Sequence, residues 1–187
     1  MEFSILEFVE EIDGRRILLP ALQRGLVWDA ERIEFLFDSL VRKYPIGSFL
    51  LWEVNKDTAN NYVFYEFIDD YSEQDGGTKN DIAISKEKPT QKDKIIGVID
   101  GQQRLSALYI GLHGKYKMHI PYRSWYEDNG FAPKELYVNL FGDIKLNSKI
   151  IFKFLTDDEA KDINLKGTEL WYKVKDLIKR GITTIPV

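Results

Sequence analysis

An apolar stripe at helical spacing is the feature that most constrains how this chain can fold. Between residues 29 and 44 an apolar side chain recurs every three or four positions, at Ile33, Leu36, Phe37, Leu40, Val41 and Tyr44. That period places these side chains on one face of an α-helix. Asp29 is a candidate N-cap, and Pro45 ends the pattern because its ring cannot continue a helix. The sequence therefore predicts a helix over residues 29–44 whose apolar face packs on another layer.

A strand followed by a helix is predicted in the middle of the chain. Residues 95–99 form an apolar run interrupted by Gly97, which is typical of a buried strand. After a short polar turn, Leu105 and Leu108 lie on one helical face. We therefore predict a strand over 95–99 and a helix over 102–112.

Aromatic and β-branched residues predict further strands, and polar stretches predict loops. Residues 46–54 and 62–68 are predicted to be two strands paired as a hairpin, and residues 69–94 a long surface loop with a short strand at 82–84. Shorter patterns predict a helix at 5–12, strands at 15–19, 135–140 and 149–155, a helix start at 157–159, and either strand or helix at 170–178. These elements predict a single α+β domain in which helices pack on a mixed β-sheet.

Composition excludes several kinds of chemistry. The chain has 187 residues, 44% of them hydrophobic, which is enough to bury a core. It has no cysteine, and its two histidines, His113 and His119, do not make a histidine-rich metal or nuclease site. We find no leader pattern or membrane-length apolar run, so we expect a cytoplasmic protein that makes no membrane contact. The net charge of −4 argues weakly against nucleic-acid binding by the whole surface.

The turn between the predicted strand and helix, Asp100-Gly101-Gln102-Gln103-Arg104, has the residues of an anion site. The first N–H groups of a helix have no partner within it, and the helix dipole adds partial positive charge there. Gly101 lets a ligand approach the backbone, and the Arg104 guanidinium matches phosphate oxygens. Asp100 could hold a metal ion or orient a water, and the amides of Gln102 and Gln103 could orient a ribose or a water.

A structural interpretation of the same turn is also open. Asp100 could cap the helix, with Gln103 completing a capping box. Arg104 would then be a solvated or salt-bridged residue of the first turn. Capped strand-to-helix turns are common, so from the residues alone this interpretation is the more frequent one.

A second polar element, Gln23-Arg24, stands in an otherwise apolar stretch. Arg24 could reach the same anion from another side, but a structural salt bridge would explain it equally well. Trp28, a little further on, could stack on a base, although a role as a core anchor is the commoner one for tryptophan.

In combination these elements resemble the N-terminal domain of GmrSD-type type IV, modification-dependent restriction proteins and of related phage-defence enzymes. The resemblance rests on Gln23-Arg24 with Val27-Trp28, on Asp38-Ser39-Leu40, on Tyr44-Pro45-Ile46-Gly47-Ser48 and on the segment from Asp100 to Leu108. Their order and spacing agree with the family over roughly residues 3–145. The resemblance implies a ParB/sulfiredoxin-like fold for residues 1–145, with 69–94 as a variable loop. Residues 146–187 would then begin a following, truncated segment.

The resemblance implies a regulatory domain that binds and hydrolyses a nucleoside triphosphate in a DNA restriction system for phage defence. Its catalytic candidates are Asp100, Gln103 and Arg104, with Asp100 also as the Mg²⁺ ligand. Its nucleotide-binding candidates are Gln23, Arg24, Gly101, Gln102 and Ser106.

The resemblance also implies partners. Modified DNA would be engaged through the full-length protein or a partner, and ParB-like relatives pair, so a homodimer is expected. The C-terminal HNH-type nuclease domain of full-length relatives has no counterpart in this sequence. DNA cleavage by this chain alone is therefore not expected.

Two other functions stay open. The chain could sense a nucleotide or modified DNA without turnover, since it has no P-loop lysine and no obvious general base. It could also be a structural domain of a larger assembly, which a wide separation of Arg24 from Arg104 would favour.

The remaining candidates have simpler structural explanations. His113 is expected to interact with a helix C-terminus, and His119 to lie on a strand. The acidic run at 157–159 fits a solvated helix start better than a cation site, and the lysines between 86 and 94 fit a charged loop better than a DNA contact. Trp125 and Tyr126, near Arg123, either form a base-stacking platform or pack against the sheet.

Overall fold

The structure, a computed structural model, describes residues 4–21, 26–75, 81–142 and 150–181. Its helices are α1 (Ile5–Asp13), α2 (Ala30–Val41), α3 (Lys56–Ala59), α4 (Gln102–Leu112), α5 (Asp157–Leu165) and α6 (Val174–Lys179). Its strands are β1 (Ile17–Pro20), β2 (Leu50–Asn55), β3 (Phe64–Tyr65), β4 (Asp70–Ser72), β5 (Ile82–Ile84), β6 (Lys94–Asp100), β7 (Lys115–His119), β8 (Phe131–Asn139), β9 (Phe152–Leu155) and β10 (Trp171–Lys173). The residues predicted as either strand or helix at 170–178 form both, β10 and then α6.

Local side chains fix where the first helices begin. Ser4 and Glu7 form a complete capping box at the start of α1. Asp29 caps α2, where its Oδ1 accepts the Arg32 N–H at 2.9 Å. Both contacts satisfy N–H groups that a helix leaves without an internal partner, and both confirm the predicted helix starts.

Two mixed sheets form the framework, where the sequence predicted one. The first has the order β2-β6-β1-β3-β5; β1 and β6 run parallel and the other neighbours antiparallel. The second has the order β10-β8-β7-β4, with β9 also paired to β8, and contains one parallel pair, β4 with β7. The predicted α+β class with mixed strand directions is therefore confirmed.

The predicted hairpin between residues 46–54 and 62–68 is wrong. β2 pairs with β6, whereas β3 lies two strands further across the sheet, between β1 and β5. The chain between β2 and β3 forms α3, which the Asn55 side chain caps by accepting the Thr58 N–H at 2.9 Å. A helical turn in the connection carries the chain away from β2, so the tight turn of a hairpin cannot form.

Helix α4 lies at the centre of the main core. Four of its apolar side chains are almost fully buried, at 0–1% exposure: Leu105, Ala107, Leu108 and Ile110. It packs against α1, α2 and α6 and against strands β7 and β8 of the second sheet. Within the described ranges, no helix has the length and apolar character needed to cross a membrane.

The main core includes described residues on both sides of position 145, where the resemblance implies that a following segment begins. Strands β9 and β10 both pair with β8. Ile151, Phe152 and Val174 belong to the same buried cluster as Leu108 of α4. The described residues on the two sides of that position therefore pack together.

The carboxylate of Glu34 on α2 accepts a hydrogen bond from β9 of the second sheet. The Phe154 N–H of β9 donates to Glu34 Oε1 at 2.7 Å. Burial raises the pKa of Glu34, because the loss of hydration outweighs the Phe154 hydrogen bond and the nearby Lys153.

The raised pKa of Glu34 predicts a dependence of stability on pH. A carboxyl whose pKa is higher in the folded state stabilises the fold fully below its unfolded pKa and loses that contribution as pH rises through the folded value. We expect Glu34→Gln, which keeps an acceptor for the Phe154 N–H, to be at least as stable as the native chain at neutral pH. Its relative advantage should disappear near about pH 3, below the unfolded pKa of about 4.3, where Glu34 is protonated in both states. Urea denaturation at both pH values tests this, and a less stable variant at neutral pH would contradict it.

Candidate functional site

The turn between β6 and α4 leaves the start of α4 without a side-chain cap. Gly101 is the N-cap residue, has a φ of 88°, and provides no capping side chain. Asp100 ends β6 with its side chain 72% exposed, and lies 3.8 Å from Arg104 Nη2 instead of capping the helix. The interpretation of Asp100 and Gln103 as a capping box is therefore wrong. Gly101 therefore contributes no side-chain capping bond to the first turn of α4.

A cleft of about 430 Å³ opens at this turn. Among the described residues it is lined by Trp28, Ile99, Asp100, Gly101, Gln102, Gln103 and Arg104. The whole predicted segment from Asp100 to Arg104 therefore faces one cavity. Ser106, the other candidate on α4, is 6% exposed and lies outside this lining set.

A β-bulge brings Ile99 into the cleft. Leu51 pairs with Val98 and Leu50 with Asp100, so the register shifts and Ile99 is the extra residue on β6. Such a bulge turns a side chain away from the regular alternation of its strand. Ile99 is 40% exposed and forms an apolar wall of the cleft together with Trp28.

Gln103 ties the chain before α2 to the cleft. Its Oε1 accepts the Val27 N–H at 2.8 Å across 76 residues of sequence. Gln23 and Arg24, the candidates just upstream, lie outside the described residues, so their predicted approach to the cleft stays a prediction.

Arg104 is anchored to the segment between α2 and β2. Its Nη1 donates to the Ile46 carbonyl at 2.7 Å and its Nη2 to the Ser48 carbonyl at 2.8 Å. Its guanidinium also lies 5.0 Å from the centre of the Phe49 ring, as in a cation–π contact. These contacts leave the side chain 19% exposed at the edge of the cleft. Each Nη group carries two N–H donors, so the guanidinium can contact these carbonyls and an anion together.

Glycine is required where these two segments meet. Gly47 has a φ of 87°, and a Cβ on it would lie 2.5 Å from Arg104 Nη1. A Cβ on Gly101 would overlap the Phe49 ring. The elements around Gly47 and Gly101, separate in sequence, therefore interlock. Ile46, Ser48 and Phe49 were not predicted from the sequence as partners of Arg104. The available signal was that the segment from Tyr44 to Ser48 and the segment from Asp100 to Leu108 both carry the family resemblance.

The cleft combines one carboxylate with the positive end of a helix. The described residues contain no group of three or more His, Asp or Glu side chains that could hold a metal ion by themselves. Asp100 is the carboxylate that lines the cleft. Mg²⁺ is commonly bound by one or two carboxylates together with substrate phosphates, so Asp100 fits such an ion only with a phosphorylated ligand present.

The other candidates are not among the described residues that line this cleft. His113 ends α4, stacks on Tyr109 at 5.1 Å and lies 3.5 Å from Asp13. Because an α-helix rises about 1.5 Å per residue, that end lies about 16 Å from the start of α4. His119 stacks on Trp125 at 4.1 Å.

The acidic and lysine-rich runs make structural contacts. Glu159 completes a capping box with Thr156, and donation by Tyr137 and Lys173 lowers the pKa of Asp157. Lys94 pairs with Glu53 at 2.7 Å, while Lys88 donates to the Ile82 carbonyl at 2.8 Å.

A pair of glycine substitutions tests the anchoring of Arg104. Gly47→Ala must adopt a positive φ and displace the guanidinium, whereas Gly167→Ala meets only the backbone cost, since Gly167 has a φ of 72° and nothing within 4 Å. We expect Gly167→Ala to cost about 1 kcal/mol of unfolding free energy. We expect Gly47→Ala to cost at least about 1 kcal/mol more, because it disturbs two hydrogen bonds of a charged donor. Urea denaturation measures both, and equal costs would mean that Arg104 moves aside without loss.

Comparisons with known proteins identify a relative and a family for this chain. An uncharacterised protein of Methanocaldococcus jannaschii, MJ0686, is 30% identical over 110 residues, which cover 59% of this chain and 17% of that protein. The chain therefore matches less than a fifth of the length of this relative. The family model described as the GmrSD restriction endonuclease N-terminal domain matches residues 5–184, which include both sheets and the cleft and continue past residue 145. This chain belongs to the family of GmrSD restriction endonuclease N-terminal domains, components of DNA restriction systems.

Proposed function

We propose that this chain binds and hydrolyses a nucleoside triphosphate and thereby regulates a modification-dependent DNA restriction system. The single observation that carries the proposal is the start of α4: it has no side-chain cap and opens into the cleft beside Arg104. An uncapped helix start attracts anions through its N–H groups and its dipole. A guanidinium at its edge adds donors suited to phosphate oxygens.

Each residue of the cleft has a proposed role. The N–H groups at the start of α4 and the Arg104 guanidinium bind phosphate oxygens, and Gly101 allows their close approach. Asp100, exposed at the mouth of the cleft, holds a divalent cation together with the phosphates or orients the attacking water. When bound, Mg²⁺ neutralises charge on the phosphates.

The amides and the apolar wall complete these roles. Gln102 and Gln103 orient water or ribose, and Trp28 with Ile99 provides an apolar wall. Gln23 and Arg24 reach the ligand from the segment before Val27, and Ser106 supports the first turn of α4 from its buried side.

The fold and assembly belong to the same proposal. The parallel strands β1 and β6, followed by α4, support a ParB/sulfiredoxin-like arrangement, in which a strand-to-helix turn holds phosphates. The protein would act in the cytoplasm, pair as a homodimer, and reach modified DNA through a longer protein or a partner with an HNH-type nuclease domain.

A specific observation favours a second function, sensing without turnover. No histidine lines the described part of the cleft, and two N–H groups of Arg104 already donate to backbone carbonyls. A site with these features can bind an anion while lacking a strong general base. The nucleotide or modified DNA would then act as an effector.

Binding and hydrolysis of a panel of nucleoside triphosphates with Mg²⁺ test the proposal. We expect Arg104→Ala to weaken binding at least about tenfold, since it removes a charged donor. Asp100→Asn should retain binding and lower turnover by roughly 10²–10³-fold, as expected when a group that acts on the transition state is lost. Asp158→Asn, which changes an exposed carboxylate on α5, is the matched control and should behave as the native chain.

The possible results separate the two functions. Turnover that Asp100→Asn abolishes supports the enzyme. Nucleotide binding without turnover, lost in Arg104→Ala, supports the sensor. A folded native chain that binds no nucleotide would refute both nucleotide functions.

A further inference from the structure

The connection between β7 and β8, residues 120–130, exposes three large aromatic rings. Tyr122 is 105% exposed, Tyr126 96% and Trp125 52%. We call this segment the aromatic tip. Large aromatic rings are normally buried in a folded chain. A group of exposed aromatic rings therefore commonly marks a binding site.

Backbone contacts hold the aromatic tip in one shape. The Ile120 N–H donates to the Gly130 carbonyl at 2.8 Å, and the Gly130 N–H to the Glu127 carbonyl at 2.9 Å. The Arg123 N–H donates to the Ile120 carbonyl at 3.1 Å. Tyr122 has a φ of 66°, a conformation that is unfavourable for a residue with a Cβ. The rings are therefore presented by an ordered turn, which lowers the entropy lost on binding.

One of the three rings is built into a stack. Trp125 lies parallel to His119, with 4.1 Å between ring centres and 7° between planes. Phe131 packs its edge against both rings, at 5.3 Å from each. The imidazole covers one face of the indole, and about half of Trp125 stays exposed. The contacts with His119 and Phe131 therefore fix the orientation of the Trp125 ring.

Cations lie along the strand that leads to this stack. Lys115, Lys117 and His119 alternate along β7, so they share the face opposite the buried Tyr116. Arg123 is exposed on the tip itself. Lys117 pairs with Asp70 at 3.0 Å, but its side chain is still 41% exposed. Lys115, Lys117 and Arg123 therefore lie along the approach to the aromatic tip, where the exposed Glu127 offsets part of their charge.

We propose that the aromatic tip binds unpaired bases of a single-stranded nucleic acid. The bases stack on Trp125, Tyr122 and Tyr126, and the phosphates lie toward Arg123 and the lysines of β7. Base stacking on exposed rings beside cations is how single strands are bound without sequence readout. A standard protein interface needs about 20–30 residues a side, which is more than this tip offers.

This site is separate from the cleft at the start of α4. The described lining of the cleft, Trp28 and residues 99–104, includes no residue of the aromatic tip. The proposal therefore does not rest on nucleotide binding, and each can fail without the other.

Fluorescence anisotropy with a labelled oligothymidylate of about 15 nucleotides, at low salt, tests the proposal on the whole chain. We expect the double variant Tyr122→Ser/Tyr126→Ser to weaken binding at least about tenfold, because it removes two rings on which bases would stack. Because these two rings are the most exposed, their loss should leave the fold intact, which circular dichroism checks. Phe141→Ser, an exposed ring beyond the far end of β8, is the matched control and should bind as the native chain.

A second measurement uses the stack itself. Saturation with the oligonucleotide should quench tryptophan emission, and Trp125→Phe should remove most of that quenching while it keeps an aromatic ring on His119. Equal affinity of the native chain and the double tyrosine variant would overturn the proposal. So would equally tight binding of a duplex of the same length, or no binding of the single strand at all.

Discussion

The burial of α4 is the constraint on which the rest of the structure depends. Leu105 and Ile110 are fully enclosed, and both sheets contribute side chains to the same core. A helix held on so many sides cannot slide or rotate without opening cavities, and these are costly. Its first turn is therefore fixed at the C-terminal end of β6, directly after Asp100 and Gly101. The position of the cleft follows from the core.

The elements that sequence analysis located are those whose signals are local. Helices α2 and α4 follow from apolar spacing and from Asp29, and the apolar run at 95–99 corresponds to β6. Strand pairing could not be predicted in the same way, because it depends on contacts between distant residues. The separation of β2 from β3 and the division into two sheets are both of this kind. The order of strands is set by the shared core and not by the turn that follows each strand.

In the candidate site, too, the local elements could be predicted from the sequence and the contacts between distant residues could not. The segment from Asp100 to Arg104 lines the cleft because consecutive residues at one turn necessarily lie together. The partners of that segment could not be predicted, since Arg104 and Gln103 bind main-chain groups of Ile46, Ser48 and Val27. Every residue has such groups, so no residue type reveals them. The capping interpretation fits these residue types, but Gly101 is the N-cap, Asp100 lies beside Arg104, and Gln103 accepts the Val27 N–H.

The anchoring of Arg104 links the cleft to the segment before β2. Its guanidinium is shared between two carbonyls and the mouth of the cleft. An anion that draws the guanidinium outward weakens its hold on Ile46 and Ser48, and an anion that accepts its other N–H groups in place strengthens that hold. Either way, occupancy of the cleft and order in residues 46–49 change each other by the same free energy. Arg104 therefore couples any anion in the cleft to residues 46–49, which are not among the described residues that line it.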